Sequence, residues 1–445
     1  MSDIEKKASR DEHDTTNASV DQPPRGVVGV YRSTLTQVIM LGFVCFMGPG
    51  LFNALNGLGG GGRVDQATSA NGNVALYSTF AVGAFFAGSI CNKLGPRLTL
   101  LIGTTGYSLY IGSYLATNLH DNAGWFIIFA GAILGLCAGL LWTAQGSLML
   151  AYPTESNKGL YISVFWSIFN LGAVVGASVA LGQNFHNTAN SVGKGTYIGF
   201  LVLTLIGVAI PMFMADPKTM YRADGSKVTA PRQPSWKTEI IGLWVALRTD
   251  PSILMLFPMF LASNWFYTWQ FNDYNGALFN IRTRALNSLV YWISQIFGSV
   301  AIGLLDYTRP VPEDARMDFN DHGYAGKVWL YIFCGLLDAM WQTYSYWMMG
   351  AMSNDPAKLA IFTGFYKSIQ SAGAAGIWRA DAMEIPYMNI FVSTWALLAA
   401  GLVIALPMLH FRVKDHTELA DEALARMDET GHVQQVDQVL HTRKD

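Results

Sequence analysis

Charge is scarce in this chain. Asp, Glu, Lys and Arg make up 13% of its 445 residues, where a soluble protein runs nearer about a quarter. The 29 basic and 31 acidic residues leave a formal net charge of −2. No basic excess is available to neutralise phosphates, which argues against a nucleic-acid partner. At 51% hydrophobic residues the chain is not a disordered polymer either. Cysteine is equally sparse. Cys45, Cys91, Cys137 and Cys334 stand far apart, with no CxxC and no Cys/His ligand spacing. They read as reduced, space-filling thiols rather than a disulfide frame or a metal site. None of the eight histidines falls in the middle of an apolar segment. Without a nucleophile–base or metal constellation, no catalytic residue, metal or cofactor is expected. The polar residues 1–33 are no secretory signal, because the first apolar run begins too late and is too long.

What the chain has in abundance is uncharged apolar sequence. A helix needs about 20 apolar residues to cross a bilayer. Eleven stretches meet that need: 35–58, 74–92, 98–117, 124–150, 160–181, 196–214, 252–271, 286–305, 328–352, 359–378 and 387–409. The reading is an all-α polytopic membrane protein whose constant partner is the lipid bilayer. Residues 1–33 form a disordered tail, 34–214 a six-helix bundle and 215–251 a linker. Residues 252–410 form a second bundle of about five helices, and 411–445 a second tail. Basic residues set the orientation. In the first half and linker one side carries fourteen, among them Lys93, Arg97 and Lys158, and the other only Arg63 and Lys194. The N-terminus, the linker and both tails are therefore expected in the cytoplasm.

Several motifs sharpen this outline. The loop after the second segment reads Gly88-Ser-Ile-Cys-Asn92-Lys93-Leu-Gly95-Pro-Arg97. It places a glycine turn and basic residues at the headgroup level and resembles the gating loop of the major facilitator superfamily, with Asn92 where that family has Asp. A charged latch is thereby reduced to a neutral one. The stretches Asn53-Ala-Leu-Asn56-Gly-Leu-Gly59-Gly-Gly-Gly62 and Trp142-Thr-Ala-Gln145-Gly146 come next. Leu336-Leu-Asp338-Ala-Met-Trp341-Gln342 and Gly364-Phe-Tyr366-Lys367-Ser-Ile-Gln370 follow in the same order. Together they resemble the Unc-ninety-three-like, or ion channel regulatory protein-like, branch of that superfamily, especially its fungal members, from about Gly29 to Leu409. The resemblance implies a two-bundle transporter fold with a site between the halves near mid-membrane. It leaves open whether the protein transports a solute or regulates a partner.

Polar residues inside apolar segments carry the site expectation. A charge at the bilayer centre costs roughly 2.5–3.5 kcal/mol on insertion scales, so it turns inward. Asp338 and Lys367, on consecutive segments, are expected to face one cavity and to pair across it, either as a solute or ion site or as a brace between helices. The expected lining also includes Asn53, Asn56, Trp142 and Gln145 from the first half. Asn264, Gln342 and Gln370 join them from the second. An aromatic wall beside an amide suits a polar or cationic solute. Glycines at spacing four, such as Gly131, Gly135 and Gly139, read as close helix packing. The run Gly59–Gly62 reads as a flexible outer hinge.

One helix is missing from the expected twelve. After Gly298-Ser-Val300 the second half should repeat the loop and apolar run that follow Gly88-Ser-Ile90. Residues 310–327 instead hold Pro310, Pro312, Glu313, Asp314, Arg316, Asp318, Asp321 and Lys327, and no span. The ninth helix of the family pattern is expected to be absent, its place vacant, with 306–327 as an irregular strap. Such a loss removes a wall from one half. The leading functional reading is a carrier of a small solute or ion by alternating access. The alternative is a non-transporting regulator or escort of a membrane channel or receptor, bound to a membrane-protein partner.

Overall fold

The structure, a computed structural model, describes residues 26–62, 66–154, 157–186, 191–222, 228, 236–249, 251–297, 317–353 and 355–412. Within these residues the chain is helical apart from turns and two isolated bridges. The first span, α1 (Thr34–Gly57), opens on Ser33, whose hydroxyl accepts from the Thr36 amide at 3.3 Å. That fills one of the donors a helix start leaves unpaired. Pro49 has no amide hydrogen to give, and α1 absorbs it in a π turn over Phe46–Gly50. Then come α2 (Gln66–Leu94), α3 (Pro96–Leu119), α4 (Gly124–Ala151), α5 (Lys158–Asn184) and α6 (Lys194–Ala209). The second half holds α7 (251–276), α8 (Ile281–Phe297), α9 (Tyr324–Met352), α10 (Pro356–Ala382) and α11 (Tyr387–Arg412).

α7 departs from the continuous helix expected over 252–271. It consists of a 3-10 turn Pro251–Leu256, a short helix Phe257–Ala262, a turn, and a π turn Trp269–Gly276. The break falls at Ser263 and Asn264, and side chains of α9 take the carbonyls it releases. Trp341 Nε1 donates to the Met259 carbonyl at 3.0 Å, and Gln342 Nε2 to that of Ser263 at 2.8 Å. α2 begins eight residues ahead of the expected 74, at Gln66. Its first turns are too polar to read as membrane, yet they are buried: Ser69 Oγ and Tyr114 OH lie 2.7 Å apart, and Tyr110 OH donates to Asn73 Oδ1 at 3.2 Å. A short helix, Val27–Tyr31, occupies part of what read as a disordered tail. The rest of that tail, to residue 25, and the second tail beyond Arg412 lie outside the described residues.

Among the described residues, six helices are long and apolar enough to cross a membrane by length and composition: α1, α2, α4, α5, α6 with its 3-10 extension, and α11. α3, α9 and α10 are comparably long, at 24, 29 and 27 residues, but carry more polar side chains. At about 1.5 Å per residue each exceeds a hydrocarbon core of roughly 30 Å. The end of the bundle where α1 starts is called the tail end below, and the opposite end the far end. The Met317 amide donates to the Leu278 carbonyl at 2.7 Å, which sets residue 317 at the far end beside the close of α7. α8 and α9 therefore both run from the far end to the tail end. Two successive described helices in parallel are what the family pattern gives when α9 takes the tenth position. Residues 298–316, where most of the expected strap falls, lie outside the described residues.

The halves meet along α2 against α10 and α5 against α8. Glycine lets the backbones close. A Cβ on Gly135 of α4 would stand 2.1 Å from the Leu76 carbonyl of α2, so the spacing-four glycines are packing surfaces. Across the halves, a Cβ on Gly364 would stand 2.6 Å from the Ala84 carbonyl. The linker helix Trp236–Thr249 packs over this seam at the tail end, with Ala246 buried beside Ile361. Two substitutions that make the same chemical change test the seam. Gly364→Ala should destabilise by about 1–3 kcal/mol through overpacking against a backbone that cannot give way. Gly376→Ala, with nothing within 4 Å of the new Cβ, should leave the melting temperature equal or higher. Equal melting temperatures for both in detergent would contradict the close approach.

Candidate solute site

A central cavity opens between the halves, with about 550 Å³ of non-atom space, its mouth included. Of the nine expected lining residues it is bordered by Asn53, Trp142, Asn264, Gln342, Lys367 and Gln370. Lys367 sits on α10, where the helix buries it to 4% exposure. Its Nζ donates to Gln370 Oε1 at 2.7 Å, one helical turn further along. The same nitrogen lies 4.6 Å from the centre of the Trp142 ring, 4.7 Å from that of Tyr366 and 5.3 Å from that of Tyr346. Three ring faces from both halves thus surround one amino group, each contributing roughly 0.5–2 kcal/mol when the group is charged.

The amides form a closed network behind it. Gln370 Nε2 donates to Asn264 Oδ1 at 2.9 Å and to Gln342 Oε1 at 3.0 Å. Gln342 Nε2 donates to Asn264 Oδ1 at 3.0 Å, and Tyr366 OH to Gln342 Oε1 at 2.7 Å. The break in α7 is what brings Asn264 to this point. Gln145 does not border the cavity. It lies one layer out, where its Oε1 accepts from Tyr346 OH at 3.1 Å, so an amide of the first half fixes a ring that covers Lys367. Asn56 is buried but lies off the lining.

Asp338 departs from expectation in its partner. It is buried at 1% exposure, yet its Oδ2 accepts from Tyr267 OH at 2.8 Å and Tyr291 OH at 3.2 Å. The hydrogen bonds of Asp338 run to these tyrosines and that of Lys367 to Gln370, while the Asp338 charge still acts on the Lys367 amino group. The reason is supply: phenolic hydroxyls from α7 and α8 reach the carboxylate, while rings and an amide reach the amino group. The tyrosines are what the sequence reading missed. Tyr346, Tyr366, Tyr267 and Tyr291 sit inside apolar runs, where an aromatic residue reads as packing.

The far end is closed by a second device. Gly59–Gly62 expected as a flexible hinge is a compact buried turn, with φ of 73°, 55°, 61° and 74°, a region open to glycine. The Gly60 amide donates to Asn272 Oδ1 at 2.9 Å, and Tyr197 OH to the Gly61 carbonyl at 2.9 Å. Arg284 is wholly buried, and its guanidinium donates to the carbonyls of Leu58 and Gly59. Asn275 Nδ2 donates to the Gly57 carbonyl at 2.7 Å, and Asn272 Nδ2 to Asp381 Oδ2 at 2.9 Å. The glycine run stays put because its peptide groups are paired across the halves.

The loop motif lies at the tail end, away from the cavity. Gly88 packs in the seam, its Cβ position 3.0 Å from the Ala360 carbonyl. Gly95 turns the chain with a φ of 80°, and Arg97 Nη2 donates to the Met212 carbonyl at 2.9 Å, which ties the start of α3 to the end of α6. Asn92 is buried and Lys93 half-buried beside it. Among the described residues no group of three or more His, Cys, Asp or Glu side chains could hold a metal.

The sequence model of the ion channel regulatory protein UNC-93 family matches residues 61–308. An UNC93-like protein of Schizosaccharomyces pombe is 48% identical over 426 residues, with 87% of this chain and 84% of that protein covered. The chain belongs to the UNC-93 family. UNC93-like protein 1 of Arabidopsis thaliana is 38% identical, with 87% of this chain and 92% of that protein covered. Among solved structures the chain is similar to a proton:xylose symporter, at a TM-score of 0.56 and 12% identity, covering 85% of this chain and 95% of that one. It is also similar to the Escherichia coli fucose:proton symporter, at 0.52 and 14%, covering 85% and 98%. These likenesses establish a major facilitator fold, and with its apolar helices the UNC-93 chain is a multi-pass integral membrane protein.

The far-end contacts generate a direct prediction. Arg284→Gln removes hydrogen bonds to a charged donor, worth roughly 1.5–3 kcal/mol in such settings, so opening at that end should rise roughly 10–100-fold. Asn53→Cys in the cavity should then react with a maleimide at least about tenfold faster in the Arg284→Gln background. An unchanged labelling rate would contradict the latch.

Proposed function

We propose that this UNC-93 chain is a carrier that moves a small solute by alternating access around the central cavity. The observation that carries the reading is a cavity lined by side chains of both halves, including a buried amino group, with cross-half contacts at both ends. A scaffold has no need to keep Lys367 and three mutually bonded amides on a cavity wall, since a charged group in the membrane interior is costly. The two seals, at Gly364–Ala84 and at Arg284–Gly59, are the elements that would open in turn. The basic-residue asymmetry supports a cytoplasmic tail end.

A second reading keeps one specific support. The family carries the description of an ion channel regulatory protein, and the twelve-helix pattern lacks its ninth member among the described residues. On that reading the bundle binds a membrane-protein partner and transports nothing.

Uptake into vesicles holding the purified full chain, across a panel of ions and metabolites, separates the two. The carrier reading expects saturable uptake of at least one solute, cut at least about tenfold by Asp338→Asn, which disturbs both tyrosines that brace the wall. Uptake of nothing across the panel favours the regulator. Full-rate uptake by Asp338→Asn would reduce that carboxylate to scaffolding.

A further inference from the structure

The central cavity of the proposed carrier is selective in what it leaves unspent. We infer that its solute is an organic monoanion, a carboxylate on a flat apolar body, held by Lys367. The inference rests on the carrier reading insofar as it takes the cavity for the solute site.

Lys367 is the charged side chain among the described residues that line the cavity. One of its three N–H donors goes to Gln370, and the nitrogen lies among three ring faces. Rings attract a cation but accept no strong hydrogen bond, and a carboxylate oxygen in their midst would add a charge-assisted one. An anion beside the amino group also favours its charged form. No carboxylate borders this lining to receive a cationic solute. Asp338 lies off the lining, and its Oδ2 accepts from Tyr267 and Tyr291.

Two of the four lining amides, Gln342 and Gln370, argue against a polyhydroxyl solute. Gln342 places both Nε2 hydrogens, on Ser263 and Asn264, and its Oε1 takes Tyr366 and Gln370. Gln370 spends its Oε1 on Lys367 and its Nε2 on Asn264 and Gln342. A side-chain amide has two donors and one acceptor oxygen to offer, so a sugar hydroxyl would have to break bonds already made at Gln342 and Gln370, which leaves Asn53 and the Nδ2 of Asn264 as the lining amide groups it could meet. Much of the remaining wall is aromatic: Phe52, Tyr77, Phe80, Tyr107, Trp166 and Phe169 border the same space, with Leu76 and Leu134 among them. Such a surface takes a planar apolar body through face and edge contacts.

Equilibrium binding to the full chain in lipid nanodiscs tests this with three probes of one shape: 2-naphthoate, 2-naphthamide and 2-naphthylmethylamine. The expected result is that the carboxylate binds at least about tenfold more tightly than the neutral amide or the amine. Lys367→Met should lose at least about tenfold for 2-naphthoate while 2-naphthamide binds as before, which shows the variant folded. Equal or weaker binding of the carboxylate in the unsubstituted protein, or binding of none of the three, overturns the inference even if Lys367→Met does not fold. So does a Lys367→Met protein that keeps its affinity for 2-naphthoate. Uptake into vesicles keeps the two readings apart. Carboxylate binding without uptake of any solute sinks the carrier and leaves the anion site standing. Uptake of neutral or cationic solutes, with no carboxylate preference, sinks the anion site and leaves the carrier standing.

Discussion

An amino group in the middle of a membrane bundle has to be surrounded by something better than hydrocarbon, and the neighbourhood of Lys367 shows how much structure that takes. Gln370 supplies an oxygen one turn away, and three aromatic faces supply the rest. Two of those rings come from α9 and α10, and the third, Trp142, from α4 in the other half. Trp142 is itself oriented, since its Nε1 donates to Tyr107 OH at 3.1 Å. Tyr346 is held from the first half by Gln145. Satisfying one side chain therefore ties the two halves together at the level of the cavity. The amide network of Asn264, Gln342 and Gln370 then depends on the break in α7, because a continuous helix would keep the Ser263 carbonyl for itself.

Closure at the two ends uses different physics. At the tail end it is steric: glycine at Gly364 and Gly88 lets α2 and α10 touch backbone to backbone, and the linker helix lies over the seam. At the far end it is polar: a buried guanidinium and asparagine side chains bond to peptide groups of a left-handed glycine turn. A steric contact and a hydrogen-bonded latch can be released independently, which is what a bundle that opens at one end at a time requires. Asp318 at the far end shows the same preference for paired charge. Partial burial alone would raise its pKa, but hydrogen bonds from Arg282, at 2.6 Å, and Asn280 outweigh that and bring it down to about 2. Its contribution to stability is present above the ordinary carboxylate value near 3.9 and is lost only as pH falls toward 2. Solvent screening keeps that contribution small.

Much of this was legible in the sequence for one reason: a polar group inside an apolar run has few places to go. The insertion cost that singled out Lys367, Gln342 and Gln370 also turned them onto one cavity. The polar character of 310–327 sets the expectation of a missing ninth span, and among the described residues the parallel run of α8 and α9 fits it. The tyrosines were not legible, since a hydroxyl on an aromatic ring leaves no mark against a background of packing aromatics. Gly59–Gly62 misled because composition speaks to what glycine permits, while partners from α6, α7 and α8 decide what it does. The break in α7 was hidden for a related reason, its carbonyls being satisfied by Trp341 and Gln342 from far along the chain.

The central claim is that the bundle is closed at both ends and opens them in alternation. Spin-label distances in lipid nanodiscs address it most directly. One pair would sit at the exposed far-end positions Phe185 and Met383, and the other at the exposed tail-end positions Leu94 and Leu254. The account predicts that, across pH and added solutes, populations appear in which one pair lengthens while the other stays short, and that the two changes oppose each other. Single, unchanging distances for both pairs under every condition would contradict it and describe a rigid scaffold.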